Sequence, residues 1–197
     1  MDLRSTKAAL PALVLVLALW LCGCAAPAPG LGPVPGSPGT NWSPAMEARR
    51  VTLVQTLSKT GISAVRNRDD RLQFNLPTDF AFASDSADIK ADMRADLDQL
   101  AASLNGPEVR NMRLRVVGYT DSQGSDAVND LLSLARAQRV ASYIQAKGVD
   151  PRRITVEGRG EDQPMVSNEQ SYGRALNRRV EIVLTEPVAA LSVNAPQ

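Results

Sequence analysis

The chain has 197 residues, 44% hydrophobic and 22% charged, proportions of a globular protein that exclude wholesale disorder and leave no room for two full enzyme domains. Lys and Arg number 22 against 21 Asp and Glu, a balance that gives no electrostatic reason to expect nucleic acid as a partner. Histidine is absent, which removes the usual general base, the Ser-His and Cys-His nucleophile pairs and the commonest zinc ligand. Most hydrolase mechanisms are thereby excluded, and no metal or other cofactor is expected.

Arg4 and Lys7 precede an apolar run from Ala8 to Cys22, about 15 residues against the roughly 20 that a spanning helix needs. This predicts a secretory signal over residues 1–23, with an uncleaved membrane anchor as the alternative. Both cysteines, Cys22 and Cys24, close that run, so the remainder has no disulfide framework. The segment Leu21-Cys22-Gly23-Cys24 resembles the bacterial lipobox. Cys24 fits because the small Gly23 precedes it, whereas Cys22 follows the bulky Leu21. The resemblance implies lipidation at Cys24, by palmitate-type acyl chains, and so a bilayer as one partner. Residues 24–197 carry equal numbers of basic and acidic side chains, so acyl chains rather than attraction to anionic lipid would supply the attachment. Each buried methylene contributes about 0.8 kcal/mol.

From Ala25 to Pro44 the chain has six prolines and four glycines in twenty residues, which predicts a linker over residues 24–45. In polyproline II form it reaches about 60 Å, at about 3.1 Å per residue. Residues 46–70 read as a helical lead-in, with Val51, Leu53, Val54 and Leu57 at helical spacing and a turn at Thr60-Gly61.

The main domain is expected over residues 71–185. Leu72, Phe74 and Leu76 alternate as a first strand, and Ile89, Met93, Leu97, Leu100 and Leu104 form one helical stripe, capped by Asp85 or Ser86 and stopped at Asn105-Gly106-Pro107. A second strand runs from about Arg110 to Tyr119, with Met112, Leu114 and Val116 facing inward and Arg113 and Arg115 on a solvated face. A second helix covers about Asp126 to Lys147, and a third strand runs from Arg153 to Glu157. A short helix near Asn168 to Leu176 precedes a last strand from Arg179 to Leu184. The order β-α-β-α-β-α-β predicts an α/β (α+β two-layer) fold, a small sheet packed against helices. Residues 186–197 have no period and read as a flexible tail.

On the second helix, Asn129, Ser133 and Arg136 sit at i, i+4 and i+7 and share a face. Arg136 lies four residues from both Leu132 and Val140, which puts a permanent charge at the edge of an apolar stripe, where it needs an anionic partner. Asp121, in the preceding turn Gly118-Tyr119-Thr120-Asp121, is the nearest candidate along the chain. By itself that pair is equally a structural salt bridge that orders the turn.

Gly118-Tyr119-Thr120-Asp121, the spaced set Asn129, Leu132, Ser133, Arg136, Ala137 and Val140, the loop Gly158-x-Gly160-Glu161-x-x-Pro164 and the run Asn177-Arg178-Arg179-Val180-Glu181-Ile182 follow in order. Together they resemble the OmpA-like peptidoglycan-binding domain, over roughly residues 70–185. The resemblance implies that Asp121 and Arg136 hold the diaminopimelate of an uncrosslinked peptide stem, with Thr120, Asn129, Leu132 and Phe82 lining the pocket. Such a ligand carries an ammonium for Asp121 and carboxylates for bidentate pairing with Arg136. The chain departs from the family pattern at Tyr119, where His is usual and a change in the pocket wall is expected. It departs again at Ala83, where Asp is usual, with Asp85 two residues on. Arg178 and Arg179 read as structural residues opening a strand, with contact to the ligand as the alternative.

The expected function is a non-enzymatic outer-membrane lipoprotein, its domain facing the periplasm, that ties the membrane to peptidoglycan. One alternative is an envelope protein-interaction module of Tol or secretion-system type. A second is a peptidoglycan enzyme using Asp121 or Glu161, for which no paired carboxylate is placed by motif.

Overall fold

A computed structural model describes residues 42–83 and 86–185. The signal segment, Cys24, nearly all of the expected linker, Asp85 and the expected tail lie outside the described residues.

The two clearest alternations in the sequence lie side by side at the centre of a sheet. Leu72, Phe74 and Leu76 of β2 (Leu72–Pro77) stand opposite Leu184, Ile182 and Val180 of β5 (Arg179–Thr185) in an antiparallel ladder, all six fully buried. On the other side of β5, β3 (Arg113–Gly118) adds Leu114 and Val116 to the same apolar face, and β4 (Ile154–Gly158) pairs parallel to β3. A parallel pair needs a crossover, which the 21-residue helix α4 (Asp126–Ala146) supplies.

Helix α4 and helix α3 (Ala91–Leu104) cover the apolar face. They place Val140 and Ile144, and Met93, Leu97, Leu100 and Leu104, against the strands. Helix α1 (Pro44–Thr56) adds Met46 and Leu53 to the same core. Its first residue is Pro44, inside the expected linker. A proline at the first helical position has no N–H to leave unsatisfied, and Ser43 Oγ caps the helix by accepting the Met46 N–H at 3.2 Å.

Three local expectations are corrected. The lead-in is not wholly helical: β1 (Ser63–Arg66) pairs antiparallel with β2, giving the sheet order β1-β2-β5-β3-β4. The hairpin turns through Asn67, whose side-chain oxygen accepts the N–H groups of Asp69 and Arg71, and through Asp70 at φ 57°. Asn and Asp tolerate that geometry, so the turn forms without glycine. Secondly, α3 begins at Ala91 with Lys90 as an N-cap whose side chain makes no capping bond and donates from Nζ to Asp79 O at 2.7 Å. Ile89 instead bridges to Phe82, and Ser86 Oγ accepts the Asp88 N–H within the preceding loop. Thirdly, the sheet face of Arg115 is not simply solvated. Arg179 and Glu181 form a buried pair there at 2.7 Å, and the Arg115 side chain is 34% exposed.

Helix α4 lies unusually close to the ends of β3 and β4. A Cβ on Gly118 would stand 2.0 Å from Ser133 O, and one on Gly158 would stand 2.6 Å from Leu134 N. Both obstacles are helix backbone that cannot give way alone. Gly118→Ala is therefore expected to lower stability by about 2–3 kcal/mol, the upper range for overpacking a core, read as a reduced midpoint in urea with an unchanged m-value.

Candidate ligand-binding site

The carboxyl ends of β2, β3 and β4 and the amino end of β5 meet at one end of the sheet. The chain leaves β3 through Tyr119, whose N–H donates to Arg179 O at 2.9 Å, and Thr120, whose N–H donates to Gly160 O at 2.7 Å. Asp121 then folds the turn on itself: its Oδ1 accepts the Gln123 N–H at 3.0 Å. A side chain bonding the backbone two residues ahead is what Asp contributes to tight turns.

The three same-face residues of α4 act on the loops around this turn. Asn129 Nδ2 donates to Asp121 O at 3.3 Å and to Glu161 Oε2 at 3.1 Å, tying the turn to the loop after β4. Ser133 Oγ accepts the Gly160 N–H at 3.0 Å and donates to Asp130 O. Arg136 Nε donates to Ser86 O at 3.0 Å, and its guanidinium carbon sits 5.6 Å from the centre of the Phe82 ring.

A cavity of about 430 Å³ opens between these elements. Phe82, Thr120, Asp121, Asn129, Leu132 and Arg136, all six residues singled out from the sequence, line it. So do Asp79, Lys90 and Arg178, which the sequence reading left out of the site. Ala83 lines it as well, and Asp79 supplies a carboxylate four residues earlier in the chain. Asp79 follows β2 through the four-residue helix α2 (Thr78–Ala81), which turns at the same sheet end as Asp121.

The expected partnership of Asp121 with Arg136 is replaced by another. Asp121 Oδ2 accepts from Arg178 Nη1 at 2.5 Å, and the same guanidinium forks onto Asp79, with Nε–Oδ1 at 2.8 Å and Nη2–Oδ2 at 2.6 Å. Proximity along the chain pointed to Arg136, 15 residues from Asp121, whereas the fold brings in a residue 57 positions away. Arg178 and Arg179 are adjacent and therefore face opposite ways. Arg178 enters the cavity, and Arg179 crosses the sheet to stack 3.9 Å from the Tyr119 ring centre. Tyr119 consequently lines a cleft on the other sheet face with Arg115 and Glu181, and is no part of this cavity wall.

The Arg178 fork, aided by the charges of Arg136 and Lys90, holds the Asp79 carboxyl below the usual carboxylate range against the opposing effect of partial burial. The same bonds, with Asp79 foremost, raise the Arg178 guanidinium above its usual value. Thr120 is 4% exposed, and among the described residues its Oγ1 has no hydrogen-bond partner. The lining thus holds three cations, two carboxylates and one unsatisfied hydroxyl, an arrangement suited to a small ligand that itself carries both signs of charge.

Residues 81–178 match the OmpA family model. The chain is 37% identical over 140 residues to the "Probable lipoprotein YiaD" of Escherichia coli, an overlap of 71% of this chain and 63% of that protein. It is 42% identical over 112 residues to "Outer membrane protein A" of Bordetella avium, covering 57% and 56% of the two chains. The chain thus spans less than two thirds of the length of either curated relative. Among solved structures, the cell wall anchor of the type VI secretion system of Pseudomonas aeruginosa superposes with a TM-score of 0.61 at 30% identity, covering 70% of this chain and 99% of that one. With a five-stranded sheet backed by helices and these matches across its described part, the chain belongs to the OmpA family.

Proposed function

We propose that this protein is an outer-membrane lipoprotein that ties the membrane non-covalently to the cell wall, holding the diaminopimelate-containing peptide stem of peptidoglycan in the cavity at the sheet end. The observation that carries this reading is the convergence of Asp121, Arg136, Thr120 and Asn129 on one cavity of an OmpA family domain. An ammonium finds Asp121, and a carboxylate finds a guanidinium. Leu132 and Phe82 give the aliphatic stem of the ligand an apolar wall. The work is binding without bond-breaking. Kinship with a probable lipoprotein and with outer membrane protein A supports a place in the envelope. In this reading Cys24 carries the acyl chains, residues 24–45 bridge the gap, and the domain faces the periplasm.

One measurement tests the reading, and a second tests the charge balance of the cavity. The full chain is expected to co-sediment with purified diaminopimelate-type sacculi. Asp121→Ala and Arg136→Ala, with melting temperatures checked, are each expected to lose at least about thirtyfold in affinity, since truncating one partner of a desolvated charged contact costs on the order of 2–5 kcal/mol. An unmutated chain that stays in solution would overturn the reading and bring the protein-interaction alternative forward. The second measurement is acid titration. Because the folded carboxyl of Asp79 titrates below its unfolded value, its contribution to stability is complete above about pH 5 and is lost as pH falls through the folded value. The stability gap between the native chain and Asp79→Asn is therefore expected to narrow as pH falls from 7 through the ordinary aspartate range toward the lowered folded value, followed by chemical denaturation at each pH.

A further inference from the structure

The chain as a whole is close to neutral, yet its charge is unevenly distributed along the sheet. At the end where β2, β3 and β4 begin, Arg68 stands in the β1–β2 hairpin and Arg71 just ahead of β2, while Arg110 and Arg113 stand in the loop before β3 and at its first position. Among the described residues none of these four side chains makes a hydrogen bond or a salt bridge, and Arg68, Arg110 and Arg113 are exposed. Of the carboxylates nearby, Asp70 and Asp150 are already paired, with Arg66 and Arg152, which leaves Asp69 and Glu108. At the cavity end the sign reverses: Asp126, Asp130, Glu161 and Asp162, on α4 and in the loop after β4, form no salt bridge among the described residues.

The four guanidinium groups are spread out, not convergent. Arg113 stands opposite Thr185, and Arg71 lies one residue beyond the Leu72–Leu184 pair, so the two flank one position of β5 from either side. Two strand spacings hold their backbones about 10 Å apart. Arg153 fixes the loop that carries Arg110, donating to the carbonyls of Met112, Leu104 and Val109 at 2.8, 3.0 and 2.9 Å, and adds its own charge to this end. A small anion needs donors that close on it, but Arg71, Arg110 and Arg113 line neither the cavity at the sheet end nor the cleft of Tyr119. An acidic protein face would need fixed carboxylates in register with these positions. Lipid phosphates move laterally to meet them, and each arginine near an anionic bilayer favours partitioning by on the order of fivefold.

We propose that the hairpin end of the domain is a docking surface for anionic phospholipid headgroups, with Arg68, Arg71, Arg110 and Arg113 meeting their phosphates. The carboxylates at the cavity end are repelled by the same bilayer, so the domain settles with its cavity directed away from the lipid. This inference rests on the membrane part of the reading above and adds a lipid partner for the folded domain. Attachment remains the work of the acyl chains, and the arginines supply orientation.

The test places the full chain in lipid nanodiscs of phosphatidylcholine, alone or with about one third phosphatidylglycerol, each with a trace of spin-labelled headgroup, and reads amide NMR. Amides of residues 68–71 and 110–113 are expected to broaden at least about threefold more in the anionic discs than in the neutral ones. That excess is expected to vanish at about 0.5 M salt, where the screening length falls to about 4 Å. Amides of residues 120–130 are expected to stay sharp in both discs. The combined variant Arg68→Gln, Arg71→Gln, Arg113→Gln is expected to lose the excess while keeping its melting temperature and its binding to sacculi. Equal broadening in the two discs, or an excess centred on the cavity end, would overturn this inference alone. The salt series on the native chain decides the matter without relying on the variant. A chain that associates with neither disc would overturn the membrane reading together with this inference.

Discussion

The site depends on the distance between a helix and two strand ends. Gly118 and Gly158 let the backbone of α4 approach β3 and β4 more closely than any side chain would allow. That approach sets where Asn129, Ser133 and Arg136 stand relative to the turn that carries Thr120 and Asp121. A helix displaced outward by a methyl group would loosen the Ser133 bond to Gly160 and the Asn129 bonds to Asp121 and Glu161 together, since all three cross the same gap. Glycine here serves close packing, and neither residue has a positive φ.

Once the helix is placed, charge organises the cavity. Three cations and two carboxylates share its lining, and the two carboxylates share one guanidinium. Arg178 and Arg179 divide their work by the alternation of an extended chain. One guanidinium serves the cavity, and the other is locked under Tyr119 with Glu181 on the opposite sheet face. Two adjacent identical residues thus have unrelated partners, and substitutions at them act on different parts of the molecule.

Much of this was legible in the sequence. Periodicity identified β2, β5, the Met93 to Leu104 stripe and the shared face of Asn129, Ser133 and Arg136, because each depends on which side of one element a residue occupies. What stayed hidden depends on pairs far apart along the chain. Arg178 meets Asp79 across 99 positions and Asp121 across 57, and no spacing rule reports such contacts. The short strand β1 was hidden for another reason: four residues are too few for alternation to stand out, and its hairpin turns on Asn67 and Asp70 with no glycine to mark it. Tyr119 was placed in the cavity wall by family position, whereas consecutive residues of an extended segment point to opposite sides and its neighbour Thr120 takes the cavity side.

The described chain begins at Trp42, whose ring lies 5.1 Å from the Arg66 guanidinium carbon at the hairpin end of β1 and β2. The cavity lies at the opposite end, beyond Pro77, so the six residues of β2 separate the two by about 20 Å of hydrogen-bonded sheet. The start of the described chain and the cavity consequently stand at opposite ends of one sheet. The hydrogen-bonded sheet acts as a rigid strut that keeps the separation of these two ends fixed.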